Sequence, residues 1–178
     1  MKKIVSFDIG YLNMAFVEVE TNFDDIINVI NFHKINLHKF NENEVHNSMS
    51  KFIKIYENIF INADIILIER QPPTGLNNIQ DILAFNYSSK IKLISPRSMH
   101  KYFYISKLNY EDRKKYTEKI SKIYLEKFNE YNILERKHDI SDAFCICLYY
   151  IKINRIIKPI KIDKNLNTFF DSFCYLKN

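Results

Sequence analysis

Residues 4–9, IVSFDI, form a short apolar run that one carboxylate, Asp8, interrupts. Val, Ile and Phe in such a run predict a strand buried inside a sheet. A second run, IILIE at residues 65–69, has the same character and ends with Glu69. An unpaired buried carboxylate is costly. The two acids therefore indicate a functional site at the ends of two buried strands.

The pattern around these runs predicts an α/β fold. Residues 13–20 alternate as a second strand, and residues 27–37 alternate less clearly as a third, which would complete an antiparallel meander. Residues 91–95 supply a fifth strand. Helical spacing marks five further segments, at residues 43–60, 76–88, 96–104, 111–131 and 139–154. The order of elements predicts a mixed five-stranded sheet of order 3-2-1-4-5 flanked by helices, which is the ribonuclease H-like fold.

The longest of these predicted helices, at residues 111–131, carries an apolar stripe at helical spacing. We expect that stripe to face the core. Its members are Tyr116, Ile120, Ile123, Tyr124, Phe128 and Tyr131.

Two more acids, Asp139 and Asp142, open the last predicted helix and lie on one side of it at i and i+3. If its first turn crosses strands 1 and 4, four carboxylates converge. Each acid has a simpler structural interpretation. Asp139 could be an N-cap, and Asp142 could interact favourably with the helix dipole from the first turn. Asp8 could be hydrogen-bonded to the backbone, and Glu69 could form a salt bridge with Arg70 or Lys92.

Four converging carboxylates predict a magnesium-dependent nuclease, because Mg²⁺ prefers hard oxygen ligands. We expect two Mg²⁺ ions per site, with Mn²⁺ able to substitute, one activating a water and the other stabilising the leaving 3′-oxygen. Asp8 would bridge the ions, and Glu69 and Asp142 would bind one each. Asp139 would be a further ligand or would orient the water.

The charge distribution favours a polyanionic partner. The net charge is +5, and residues 90–137 hold 13 Lys and Arg against 6 Asp and Glu. A solvated helix face is the alternative interpretation. The candidate DNA contacts are Arg70, Gln71, Arg113, Lys114, Lys115, Lys119 and Lys122. Residues 102–104 (YFY) could stack on unpaired bases or pack in the core.

Length and composition indicate a single domain over residues 1–178, with residues 160–178 an aromatic tail packed on the domain or on a dimer partner. The three cysteines, Cys145, Cys147 and Cys174, have no metal-binding spacing, which favours a reducing intracellular compartment. No apolar run reaches the length of a membrane span, and the N-terminus leads into a strand instead of a signal peptide.

The chain resembles the poxvirus Holliday junction resolvase family, within the RuvC-like group. The matching segments run in the family's order over roughly 140 residues. They are FDIG at residues 7–10 with Asn13, LIERQP at 67–72, ISP at 94–96, DRKK at 112–115, and DISDAF at 139–144. A glutamate that ends the fourth strand, in place of one on the first helix, is typical of RuvC-like resolvases. His138, before the last acidic pair, departs from the family's usually more basic segment.

The resemblance implies a homodimer whose two active sites nick a four-way junction symmetrically. It also implies a role in resolving branched or concatemeric viral genomes in host-cell cytoplasm at replication sites, or in the virion. Mitochondrial resolvases of yeasts are near relatives by the same motifs. The alternative is a non-catalytic module of this fold that binds branched nucleic acid. The position of Glu69 speaks against a ribonuclease H-type enzyme, and the small size speaks against a transposase.

Overall fold

Five strands form one mixed sheet at the centre of the protein. A computed structural model describes residues 1–24, 27–40 and 44–155. The strands are β1 (Lys2–Asp8), β2 (Met14–Thr21), β3 (Ile27–Ile35), β4 (Ile65–Glu69) and β5 (Ile91–Ile94). Their spatial order is β3-β2-β1-β4-β5, which confirms the predicted topology. The first three strands are antiparallel, whereas β4 runs parallel to both β1 and β5.

The two central strands, β1 and β4, are buried on both faces. Residues 4–7 of β1 and residues 66–68 of β4 are buried throughout, as their largely apolar sequences predict. The parallel register pairs Phe7 with Ile68. Asp8 and Glu69 are the next residues along each strand, so both acids lie at the same end of the sheet.

Helices cover both faces of this sheet. Their bounds are α1 (Val45–Ile55), α2 (Glu57–Asn62), α3 (Asn77–Asn86), α4 (Pro96–Tyr102), α5 (Tyr110–Leu125), α6 (Asn129–Asn132) and α7 (His138–Ile153), with a short 3-10 helix at Leu37–Phe40. The α4 helix starts as its sequence suggests, with Pro96 in the first turn and the Ser95 side chain accepting a hydrogen bond from the Ser98 amide.

The single helix predicted over residues 43–60 is two helices. Tyr56 ends α1 and precedes α2, with a backbone conformation (φ −104°, ψ 14°) outside the helical range. Phe52 before the break and Phe60 after it are both fully buried and lie 5.5 Å apart between ring centroids. The apolar stripe therefore continues across the break, which is why helical spacing alone did not reveal it.

The helix predicted over residues 111–131 ends at Leu125, and its core-facing side differs from the predicted stripe. Ile123 is 74% exposed, whereas Thr117 and Ser121 are buried. Small polar residues face inward because α5 packs against α7, where their hydroxyls find partners. The chain then turns so that Tyr131 of α6 is buried and its hydroxyl lies 3.0 Å from Ser141 Oγ and 3.1 Å from Ser121 Oγ.

Two apolar cores lie on opposite faces of the sheet. The first is built around α7, whose residues 143–148 are all buried. The second packs α1, α2 and α3 against the other face and is rich in aromatic rings, with Phe60 in contact with Phe7, Phe16 and Phe52. Cys145 and Cys147 are buried free thiols, and burial raises the pKa of both.

The predicted tail at residues 160–178, including its aromatic residues, lies outside the described residues, as does Cys174. Among the residues that the structure describes, no helix combines the length and apolar character needed to cross a bilayer.

Replacing Phe60 with Ala should lower the free energy of unfolding by about 3–5 kcal/mol, because it removes a fully buried ring from the aromatic core and leaves a cavity. Urea denaturation monitored by circular dichroism measures the loss. Phe85→Ala is the control, since Phe85 is 88% exposed, and it should change stability by less than about 0.5 kcal/mol. Equal losses in the two variants would contradict this description of the core.

Candidate active site

The C-terminal ends of β1 and β4 supply the first two acids of the site. Both Asp8 and Glu69 are partly exposed, while the residues before them are buried. The turn that follows Asp8 is tight, because a Cβ at Gly10 would lie 3.0 Å from the carbonyl carbon and oxygen of Asn13. A side chain at Gly10, two residues after Asp8, would therefore force the backbone of this turn to shift.

The first two turns of α7 supply the other two acids. The helix begins at His138, and the preceding residue, Lys137, makes no side-chain cap. Asp139 lies inside the first turn and is buried, so the interpretation of Asp139 as an N-cap is wrong. The helix packs on β1 and β2 and contacts α5 along its length. This packing brings its N-terminal end toward the end of β1 that carries Asp8.

Asp142 is held by two residues of α5. Lys114 forms an ion pair with Asp142 Oδ2, and the Thr117 hydroxyl donates a hydrogen bond to Asp142 Oδ1 at 2.7 Å. The Lys114 ammonium also lies 5.2 Å from the centre of the Tyr110 ring. Burial opposes the charge on Lys114, but the nearby Asp142 and Asp8 carboxylates raise its pKa overall. Lys114 is therefore firmly cationic at the centre of the acidic site.

Asp139 is held by a different pair of cations. The Arg136 Nε donates to both carboxylate oxygens, at 3.2 and 2.9 Å, and Lys34 Nζ of β3 lies 3.1 Å from Oδ2. His138 Nε2 lies 3.4 Å from Asp139 Oδ1 without a hydrogen-bond geometry. His138 Nδ1 lies 3.7 Å from a Glu118 carboxylate oxygen. His138 is thus partly buried between two acids.

Asp8 lies at the electrostatic centre of the four acids. Burial raises its pKa well above the usual value, and the charges of Asp142, Glu69 and Asp139 raise it further, while Lys114 lowers it. The pKa of Glu69 is also raised, first by burial and then by Asp142, again against Lys114. The charged forms of Asp8 and Glu69 are therefore both disfavoured in this arrangement.

The carboxylates of the four acids are chemically suited to bind a divalent cation. Several carboxylates whose ionisation is disfavoured by burial and mutual repulsion are stabilised by a hard cation that binds oxygen. Within the described ranges, however, no three Asp, Glu, His or Cys side chains stand together as a ready ligand group. Lys114 and Arg136 hold two of the four carboxylates instead. A bound cation would have to compete with these side chains.

Three of the candidate DNA contacts have distinct surroundings. Arg70 is exposed directly after Glu69. The Gln71 side chain braces the turn after β4, since its amide donates to the Glu69 carbonyl at 3.2 Å and its oxygen accepts from the Leu76 amide at 3.3 Å. Arg113 donates to the Leu108 carbonyl at 2.7 Å. Gln71 and Arg113 thus have structural contacts that the sequence did not indicate.

The remaining lysines flank a shallow cavity of about 330 Å³ on the outer side of α5. Lys115, Lys119 and Lys122 line it together with Lys137 from the start of α7, and Tyr131 is also part of its lining. Glu118 also lines this cavity, and the lysines of α5 are joined there by Lys137 of the segment that leads to Asp139.

Sequence reasoning missed four residues that contact the acids or this basic face. Arg136 could have been found, because it lies three residues before Asp139. Lys34, Thr117 and Lys137 had no such signal. Lys34 comes from an edge strand and Thr117 lies outside the predicted apolar stripe of its helix, so only packing brings them to the acids.

Comparison with known proteins identifies the family. The model of the family described as Poxvirus A22 protein matches residues 2–155. The chain belongs to the poxvirus A22 protein family. This A22 family match confirms the resemblance drawn from the sequence motifs. A comparison with curated protein sequences gives no match.

Solved structures similar to this A22 family chain share its fold. The fowlpox virus resolvase in complex with Holliday junction DNA is 24% identical with a TM-score of 0.63, over 85% of this chain and 97% of that one. The yeast mitochondrial Holliday junction resolvase Ydc2 is 21% identical with a TM-score of 0.62, over 85% and 79%. Thermus thermophilus RuvC is 11% identical with a TM-score of 0.56, over 86% and 97%.

Asp8→Asn and Asp139→Asn should shift the melting temperature in opposite directions when a chelator is present near pH 7. The pKa of Asp8 is raised in the folded protein, so its ionisation costs stability as the pH rises, and a neutral amide removes that cost. Asn at position 139 leaves Arg136 and Lys34 without their buried partner, which should cost about 1–3 kcal/mol.

Differential scanning calorimetry measures both shifts. Lowering the pH should shrink the difference between wild type and Asp8→Asn, because protonated Asp8 no longer carries the unfavourable charge. A loss of stability in Asp8→Asn as large as that in Asp139→Asn would contradict the electrostatic description of the site.

Proposed function

We propose that this A22 family protein is a Holliday junction resolvase, an endonuclease that makes paired symmetric nicks in four-way and branched DNA. The observation that supports the proposal is that the charges of Glu69, Asp139 and Asp142, which come from β4 and α7, all act on Asp8 at the end of β1. The relatives of the same fold include the fowlpox virus resolvase and RuvC, which were each solved with junction DNA.

Asp8, Glu69, Asp139 and Asp142 would hold the divalent cations that such a reaction uses. We propose two Mg²⁺ ions per site, with Mn²⁺ able to replace them. Bound cations of this kind make water a better nucleophile and neutralise charge on the reacting phosphate. The raised pKa values of Asp8 and Glu69 support this assignment, because both charges are disfavoured until a cation offsets them.

The residues around the acids set the orientation of the carboxylates. Lys114 and Thr117 fix Asp142 from α5, and Arg136 and Lys34 fix Asp139 from its other side. Asp139 and Asp142 thus each have a charge-balancing partner and a defined side-chain orientation before DNA arrives. Such preorganisation of charged groups is a large contributor to catalysis.

The partner is branched DNA, bound through the basic face of α5. Lys115, Lys119 and Lys122 would contact backbone phosphates, and Arg70 would reach the backbone beside Glu69. Contacts of this kind position DNA without reading its sequence. A positive surface next to an acidic site lets a polyanion approach carboxylates that would otherwise repel it.

We further propose the assembly and setting that the family suggests. Residues 1–178 would form one nuclease domain, with the tail packed on it or on the partner, and two copies would form a homodimer with one site for each nicked strand. The protein would resolve replication intermediates and genome concatemers in host-cell cytoplasm at viral replication sites, or in the virion.

Cleavage of a labelled synthetic four-way junction in Mg²⁺ tests the proposal. The wild type should make paired symmetric nicks, and Asp142→Asn should bind the junction but cut it at least about a hundredfold more slowly. Asp64→Asn is the matched control. Asp64 forms an ion pair with Lys2 and directly precedes β4, at the end of that strand opposite to Glu69, so this variant should cut normally.

If the wild type binds the junction tightly but does not cut it in either Mg²⁺ or Mn²⁺, the nuclease proposal is contradicted. The protein would then be a binding module for branched nucleic acid. The ion pairs that already hold Asp139 and Asp142 would be permanent structural contacts in such a module.

The triple variant Lys115→Gln, Lys119→Gln and Lys122→Gln should weaken junction binding and flatten its dependence on salt. Removing one phosphate contact should reduce the slope of log affinity against log salt concentration by about 0.9. Fluorescence anisotropy over a salt series measures the slope. Lys54→Gln, an exposed lysine of α1 on the other face of the sheet, is the control, and an unchanged slope in the triple variant would refute the assignment.

A further inference from the structure

A wide aromatic groove lies between α4, α5 and α7, separate from the four acids. Its volume is about 1270 Å³, and its aromatic lining consists of Tyr102, Phe103, Tyr104, Tyr116 and Tyr149. Lys101 and Lys107 also line it, and none of the described residues of its lining is acidic. An aromatic surface flanked only by positive charge complements a ligand with flat rings and a negative backbone.

Tyr104 adopts a backbone conformation that its residue type disfavours. Its φ is 59°, in the left-handed region, and it follows Phe103, the C-cap residue of α4. The Ile105 amide donates to the His100 carbonyl at 2.9 Å and the Tyr104 amide to the Lys101 carbonyl at 3.2 Å, which is the Schellman pattern of helix ends. Glycine is the residue that usually occupies this position, because it has no Cβ.

Packing of the Tyr104 side chain does not offset this backbone strain. Tyr104 is 91% exposed, whereas the next residue, Ile105, is fully buried at the position where an apolar residue frequently accompanies this motif. Its neighbour Tyr102 packs edge to face on Phe103 and Tyr149, at 5.1 and 5.5 Å between ring centroids. The packed ring of Tyr102 thus lies beside the far more exposed ring of Tyr104.

The groove is within reach of DNA held at the acids. Tyr149 is seven residues after Asp142 on α7, so both lie on one face of the helix, about 10 Å apart along its axis. On α4, the charge of Asp142 acts on His100, four residues before Tyr104. About 10 Å corresponds to roughly three nucleotides of a strand.

We propose that this aromatic groove binds an unpaired nucleobase at the branch of the DNA substrate, with Tyr104 as its stacking platform and Lys101 and Lys107 contacting the flanking phosphates. The proposal rests on the proposed function for its substrate and adds the site that distinguishes a branch from a linear duplex. Bases in a continuous duplex remain stacked on each other, so only a branch or a single strand offers a free ring face.

The test compares Tyr104→Gly with Tyr104→Phe in the full chain. Glycine suits the left-handed position, so the first variant should melt no lower than wild type, and phenylalanine keeps the ring. In a chelator, the wild type and Tyr104→Phe should quench 2-aminopurine in a short single-stranded oligonucleotide. Tyr104→Gly should bind that oligonucleotide and a four-way junction about tenfold more weakly, with no change for linear duplex.

Other outcomes separate this proposal from the nuclease proposal. If the wild type cuts no junction yet Tyr104 is still needed to quench 2-aminopurine, the nuclease proposal fails and the base site stands. If all three proteins bind single strands and junctions equally, the base site is overturned. If Tyr104→Gly changes only the mass seen in analytical ultracentrifugation, the groove is covered by a second copy of the chain and the base site is again overturned.

Discussion

The parallel pairing of β1 with β4 is the constraint on which the rest of this structure depends. It buries two largely apolar strands side by side in register, so the acid that ends each strand, Asp8 and Glu69, appears at the same end of the sheet. The strands cannot slip without exposing their apolar residues, because both faces are covered by helices. The distance between the two acids is thus set by the core and not by the site.

The second pair of acids depends on how α5 packs against α7. The contact is polar around Asp142 and Ser141. Thr117 and Lys114 hold Asp142, and Ser121 shares a buried hydroxyl cluster with Ser141 and Tyr131. Directional hydrogen bonds fix the rotation of α7 more sharply than apolar packing would, since apolar contacts tolerate sliding. Small side chains also let the two helices approach closely.

The acids and their cations form one balanced system. Lys34 of β3, Lys114 of α5 and Arg136 of the segment before α7 each contact a carboxylate of the site. Asp8 and Glu69 remain the groups whose charge is least favoured. In the proposed nuclease, this balance lets an acidic site exist in a folded protein before cations and DNA bind, and the basic face of α5 and the aromatic groove extend the same surface toward the substrate.

The sequence by itself determined the strand order, because buried strands leave apolar runs, and it singled out Asp8 and Glu69 as acids that break or end such runs. It also predicted the shared face of Asp139 and Asp142 from helical spacing. Only the tertiary structure decided which cations meet those acids, that α5 turns Thr117 and Ser121 inward, and that Tyr104 occupies a glycine position beside a groove. Local periodicity records which side of an element is buried, but partners such as Lys34 and Asp139 are 105 residues apart, and only packing brings them within 3.1 Å.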